Sequence, residues 1–162
     1  MAIITPGTVV PEFELKDAEG MPFTRLDLEG RTSVLVFYPN AFSPVCTDQF
    51  QIYEEVLEDF AERGARLFGV STDSTYAQQA FKDKLGITIP QLSDFEPKGE
   101  TSRALGAFFE PGGMTNRAIV IFDADGVVQW SHLADNPGEL PGADLIIEGL
   151  AAPAPARSDA HR

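Results

Sequence analysis

The chain has 162 residues, 43% of them hydrophobic and 23% charged, which suits one soluble globular domain that buries a core without disulfide or metal staples. Its 12 basic and 25 acidic residues leave a net charge of -13, which repels phosphate backbones and anionic lipid surfaces and argues against nucleic-acid and membrane partners. No apolar run approaches the ~18 residues of a membrane span, and the opening MAIITPGTVVPEFELKDAEG lacks the basic start and long apolar stretch of a leader, so a cytoplasmic protein is expected.

Residues Glu12 to Lys16 alternate in character, Asp17 to Gly20 supply a turn, and Met21 to Leu26 resumes the extended pattern, predicting an opening β-hairpin. Thr32 to Tyr38 (TSVLVFY) is β-branched and aromatic, the pattern of a central parallel strand buried on both faces, and Pro39 and Asn40 stop it. Phe50, Tyr53, Val56, Leu57, Phe60 and Ala61 then recur at helical spacing until Gly64, predicting one amphipathic helix. Ala65 to Ser71 reads as a second buried strand, and Ser74 to Leu85 as a helix ended by Gly86.

Further along, Ile87 to Ser93 reads as a short strand, Lys98 to Leu105 as a short helix and Arg117 to Phe122 (RAIVIF) as a third strong strand. Asp123 to Gly126 makes a turn into a returning strand, Val127 to Leu133, and Leu140 to Ala151 supplies a final helix over the sheet. Trp130 is expected in the core. Residues 1–151 are read as one α/β domain, a mixed central sheet flanked by helices, and residues 152–162 as a solvated tail. Such folds host many activities, so the site must decide function.

The chain holds one cysteine, Cys46. A single thiol excludes an internal disulfide and fits a reducing compartment. Cys46 follows a buried strand in the stretch PNAFSPVC. Ser43 is a favoured N-cap and Pro44 a favoured first helical residue, which makes Cys46 the third residue of the helix, among unpaired backbone N–H groups. Those donors and the helix dipole favour an anion, and the thiolate is the nucleophilic form of cysteine. Keeping a thiol mostly ionised at neutral pH takes roughly 3 kcal/mol, whereas a helix terminus supplies about 0.3–2. A cation is therefore expected to complete the site. The plainer reading is a small buried apolar residue, the common fate of a free cysteine; the coincidence of strand, proline turn, hydroxyl and capped helix weighs against it.

The segment Pro39-x-x-x-Ser43-x-x-Cys46 resembles the active-site motif of the peroxiredoxins, in the AhpC/TSA superfamily, with Gly7, Pro11 and Phe13 resembling that family's opening. Leu92 to Gly106, with Asn116 and Arg117, is most similar to its one-cysteine, alkyl hydroperoxide reductase E-type branch. The resemblance implies a thioredoxin-like fold and reduction of ROOH to ROH, with Cys46 oxidised to sulfenic acid and no metal or organic cofactor. It implies that Pro39 shields the cysteine and limits overoxidation, that Ser43 presents its hydroxyl to peroxide and thiolate, that Arg117 supplies the cation, and that Gln49 orients the arginine. Serine stands where the branch more usually has the stiffer threonine. Neighbouring Asp48 opposes a thiolate and is expected to face water. A homodimer is also implied.

With no second cysteine, an external thiol must resolve the sulfenic acid. A low-molecular-weight thiol followed by a glutaredoxin-like or thioredoxin-like reductase is the sensible chemistry, and the resemblance suggests mycothiol and a mycoredoxin. The substrates on this reading are hydrogen peroxide, organic hydroperoxides and peroxynitrite. Two other classes compete: a non-catalytic holdase or thiol-regulated binding protein of the same fold, and a Cys–His hydrolase, which needs His132 beside Cys46. His132 and His161 are too few and too far apart to suggest a metal site.

Overall fold

In chain order, a hairpin of β1 (Glu14–Lys16) and β2 (Pro22–Thr24) leads into β3 (Thr32–Phe37) and then two helices, α1 (Pro44–Glu55) and α2 (Leu57–Glu62). There follow β4 (Ala65–Ser71), α3 (Thr75–Leu85), β5 (Gln91–Ser93) and α4 (Glu100–Ala104). A small pair, β6 (Phe108–Phe109) and β7 (Met114–Thr115), precedes β8 (Ala118–Phe122), β9 (Val128–Leu133) and α5 (Ala143–Leu150). This computed structural model describes residues 2–155; most of the expected tail, and His161 with it, lies outside the described residues.

Seven strands form one mixed sheet in the order β2-β1-β5-β4-β3-β8-β9, with β3, β4 and β5 parallel and β8 antiparallel to β3. The β-branched run from Thr32 takes the central place because its neighbours bury both of its faces. Val34, Val36 and Tyr38 project into a cluster with Phe50, Phe60 and Phe81 from α1, α2 and α3 and Ile146 from α5. Leu35 and Phe37 project the other way, into a cluster closed by Phe13, Leu28 and, just past α4, Leu105. Full burial of one such large apolar side chain is worth about 1.5–3 kcal/mol.

Several expected elements change at their ends, for local reasons. The single helix expected through Ala61 breaks at Val56 (φ -113, ψ 15), which divides it into α1 and α2 while Phe50, Tyr53 and Phe60 still share one cluster. The strand expected from Ile87 begins at Gln91, because Pro90 has no N–H for a ladder. The second hairpin strand stops at Thr24, where Leu26 N–H donates to Thr24 Oγ1 and Thr24 N–H to Asp27 Oδ2, closing a 3-10 turn over Arg25–Leu28. The β6–β7 pair was not expected from the sequence. Trp130 packs, half-buried, against the helical cluster.

Candidate active site

The chain leaves β3 at Tyr38, whose N–H still donates to Val70 O, and turns sharply after the buried Pro39. Ser43 N–H donates to Asn40 O (3.3 Å), and Ala41 N–H to the Asp73 carboxylate (2.8 Å). Between them Phe42 takes a left-handed conformation, φ 71, with half of its ring exposed and its edge against Phe81. That conformation costs a bulky residue about 1–2 kcal/mol, so the turn is held by its surroundings. It delivers Ser43 to the N-cap of α1, where Oγ accepts from Cys46 N–H at 3.3 Å. Pro44 opens the helix, and Cys46, its third residue, is 0% exposed.

Arg117, immediately before β8, is the largest buried side chain among the described residues, 2% exposed. Its Nη2 donates to Cys46 Sγ at 3.1 Å, its Nη1 to Gln49 Oε1 at 2.7 Å and its Nε to Pro137 O. Gln49 lies one turn beyond Cys46 on α1; its Nε2 donates to Tyr53 Oη (3.0 Å), and Tyr53 Oη donates to Pro141 O (2.6 Å). Burial pushes the Tyr53 phenol far above its usual range, against the weaker pull of Gln49 and Arg117, so it stays protonated and keeps donating. The segment between β9 and α5 is thus fastened twice, at Pro137 and Pro141, to the groups that orient the guanidinium.

A buried guanidinium ordinarily needs an anion. The three ion pairs among the described residues, Lys16–Glu14, Arg25–Glu12 and Arg103–Glu110, leave Arg117 out. What lies against it is the sulfur. A thiolate 3.1 Å from the guanidinium gains roughly 5 kcal/mol of Coulomb attraction at an effective dielectric of about 20.

The structure therefore brings Cys46, Ser43, Arg117 and Gln49 together, with Pro39 buried in the turn that leads to them, while Asp48 is exposed. Sequence reasoning missed Tyr53 and the carbonyls of Pro137 and Pro141; for Tyr53 the available signal was its spacing of four from Gln49, which puts both on one helix face. His132 stacks on Trp130, and its Nε2 is buried without a hydrogen-bond partner. Among the described residues no three His, Cys, Asp or Glu side chains gather as metal ligands, and no helix is long and apolar enough to cross a membrane.

A thiol set against a buried guanidinium at a helix start, in a thioredoxin-like α/β sheet, belongs to the class of thiol-dependent oxidoreductases. The sequence profile of the AhpC/TSA family matches residues 6–131. A Mycobacterium tuberculosis protein provisionally named a peroxiredoxin is 32% identical over 156 residues, covering 96% of this chain and 94% of its own. Alkyl hydroperoxide reductase E of Mycobacterium tuberculosis is 29% identical over 151 residues, 93% of this chain and 98% of its own. Among solved structures, Enterococcus faecalis AhpC superposes with a TM-score of 0.81 at 27% identity, covering 93% of this chain and 91% of that one. Peroxidoxin BcpB of Mycobacterium tuberculosis gives 0.77 at 28% identity, covering 91% and 96%. The chain belongs to the AhpC/TSA family of peroxiredoxins.

Proposed function

We propose that this chain is a one-cysteine peroxidase that reduces hydrogen peroxide, organic hydroperoxides and peroxynitrite, with Cys46 as the peroxidatic nucleophile. The thiolate attacks the terminal oxygen of R–O–O–H, an S–O bond forms as the O–O bond breaks, and the departing RO⁻ takes a proton to give ROH. Cys46 leaves the step as sulfenic acid. Arg117 favours the thiolate and faces the charge that moves onto the departing oxygen. Ser43, with its hydroxyl proton free while Oγ accepts from Cys46 N–H, can donate to the thiolate or the peroxide. Gln49 orients Arg117, and Pro39 walls the thiol from water.

The cycle closes when an external thiol attacks the sulfenic sulfur, releasing water and leaving a mixed disulfide that a second thiol reduces. Mycothiol with a mycoredoxin, or a glutaredoxin or thioredoxin system, fits this step, in the cytoplasm and with the chain as a homodimer. One observation carries the reading: Arg117 Nη2 lies 3.1 Å from Cys46 Sγ, and Arg117 has no carboxylate partner among the described ion pairs. The test is to treat the reduced protein with one equivalent of hydroperoxide in the presence of dimedone. A dimedone adduct confined to Cys46, absent in Cys46→Ser, is expected. Oxidation spread over methionines with Cys46 unmodified would refute the assignment.

A further inference from the structure

We propose that Asp73 is a positioning residue for the Cys46 site, acting through the backbone of Ala41; the proposal deepens the peroxidase reading and rests on it. Asp73 lies in the turn between β4 and α3. Its Oδ2 accepts from Ser71 Oγ at 2.7 Å, its N–H donates to Ser71 Oγ at 3.3 Å, and its carbonyl accepts from Ser93 Oγ at 2.6 Å. Ser71 Oγ also accepts from Gln78 Nε2 (2.9 Å), which donates in addition to Leu92 O (2.9 Å). The carboxylate is thereby tied to β4, β5 and α3, the stiff part of the sheet and its covering helix.

One of its bonds reaches outside that frame. Ala41 N–H donates to the same Oδ2 at 2.8 Å, across 32 residues of sequence. A bond from a backbone N–H to a carboxylate is among the stronger hydrogen bonds, and here it fixes the residue just before the left-handed Phe42. A bulky residue relaxes out of that conformation unless both sides are held. The N-cap of α1 follows directly at Ser43, so releasing Ala41 loosens the turn that sets Ser43 Oγ under Cys46 N–H and keeps Sγ against Arg117.

The two halves of the proposed cycle make opposite demands on this turn. Attack on peroxide needs the closed arrangement, with Cys46 lodged beside Arg117. Condensation with an external thiol needs access to a sulfur on a residue that is 0% exposed. Asp73 therefore favours the first step at the expense of the second.

The experiment compares the full-length wild type with Asp73→Ala and Asp73→Asn by hydrogen exchange and by stopped flow of the two steps separately. The amide oxygen of asparagine still accepts from Ala41 N–H, whereas alanine offers nothing. In Asp73→Ala we expect faster exchange confined to residues 41–46, a peroxide step slower by about tenfold to a hundredfold, and faster condensation of the sulfenic acid with a small thiol. Asp73→Asn is expected to recover the peroxide rate to within about threefold. The proposal is overturned if exchange over 41–46 is unchanged, if both steps slow together while β4 and α3 lose protection, or if Asp73→Asn behaves like Asp73→Ala. Exchange is read without peroxide, so a wild type inert to hydroperoxides would overturn the peroxidase reading while the exchange arm still decides on Asp73.

Discussion

Replacing Arg117 by methionine removes the guanidinium while keeping a long side chain in a site enclosed on all sides. The lost attraction is gross ~5 kcal/mol at the 3.1 Å separation. Desolvating a buried cation cancels part of it, and close charge pairs truncated on one side typically lose a few kcal/mol. A net loss of about 2–3 kcal/mol in the transition state corresponds to a peroxide rate lower by roughly 30- to 150-fold. The assay is the rate of Cys46 alkylation by iodoacetamide across pH, read beside the single-turnover peroxide rate, with thermal unfolding as the control for folding. Methionine also leaves Gln49 Oε1 and Pro137 O without their donor, so some loss of stability is expected. An alkylation profile that superposes on the wild type, in a protein that remains folded, would remove Arg117 from its role.

The Tyr53→Phe variant strips one hydroxyl from between Gln49 Nε2 and Pro141 O; a stability loss of about 1–3 kcal/mol by denaturant titration is expected for the stranded buried groups, and no change would mean that water replaces the hydroxyl. Ser43→Ala should cost about 1 kcal/mol of stability through the lost N-cap and slow the peroxide step, whereas Ser43→Thr keeps the cap with a stiffer hydroxyl and should match or exceed the wild-type rate; equal rates for Ala and Ser would confine Ser43 to capping. Burial pushes the Asp94 carboxyl above the ordinary aspartate range despite donors from Ser102 and Thr101. The folded state then holds the proton more tightly than the unfolded chain, so this group's contribution to stability is greatest at acid pH and declines as pH rises from the ordinary aspartate range to the folded value. A carboxyl NMR titration that places Asp94 at or below the ordinary range would contradict this.

What the sequence revealed was what neighbouring residues decide among themselves. Ala65–Ser71 forms a strand with the expected bounds, because a short, largely apolar run between a glycine and a polar turn leaves little choice. The N-cap of α3 at Ser74, its C-cap at a left-handed Gly86 and the N-cap of α1 at Ser43 followed the same local chemistry. The break at Val56 and the β6–β7 pair were hidden, since the apolar spacing continues through the first, and the second depends on where the chain must pass to bring Asn116 N–H onto Ala107 O.

The site divides along the same line. Cys46, Ser43, Pro39 and Gln49 fall within one short stretch whose residue types announce a capped helix start. Arg117 was reached only through a demand for a cation and a resemblance, because it is 71 residues away from the sulfur it touches. Tyr53 with Pro141, 88 residues apart, and Asp73 with Ala41 carry no mark in the sequence: a tyrosine on a helix and an aspartate before a helix are unremarkable until the fold supplies their partners.

The central claim is that Cys46 is the peroxide-reducing group, and single-turnover stopped flow tests it most directly. Reduced protein mixed with one equivalent of hydroperoxide is followed by the fluorescence of Trp130, the one tryptophan of the chain. The account predicts a second-order signal change orders of magnitude faster than the reaction of free cysteine, abolished in Cys46→Ser and strongly slowed in Arg117→Met. A wild-type rate no greater than that of free cysteine would contradict it.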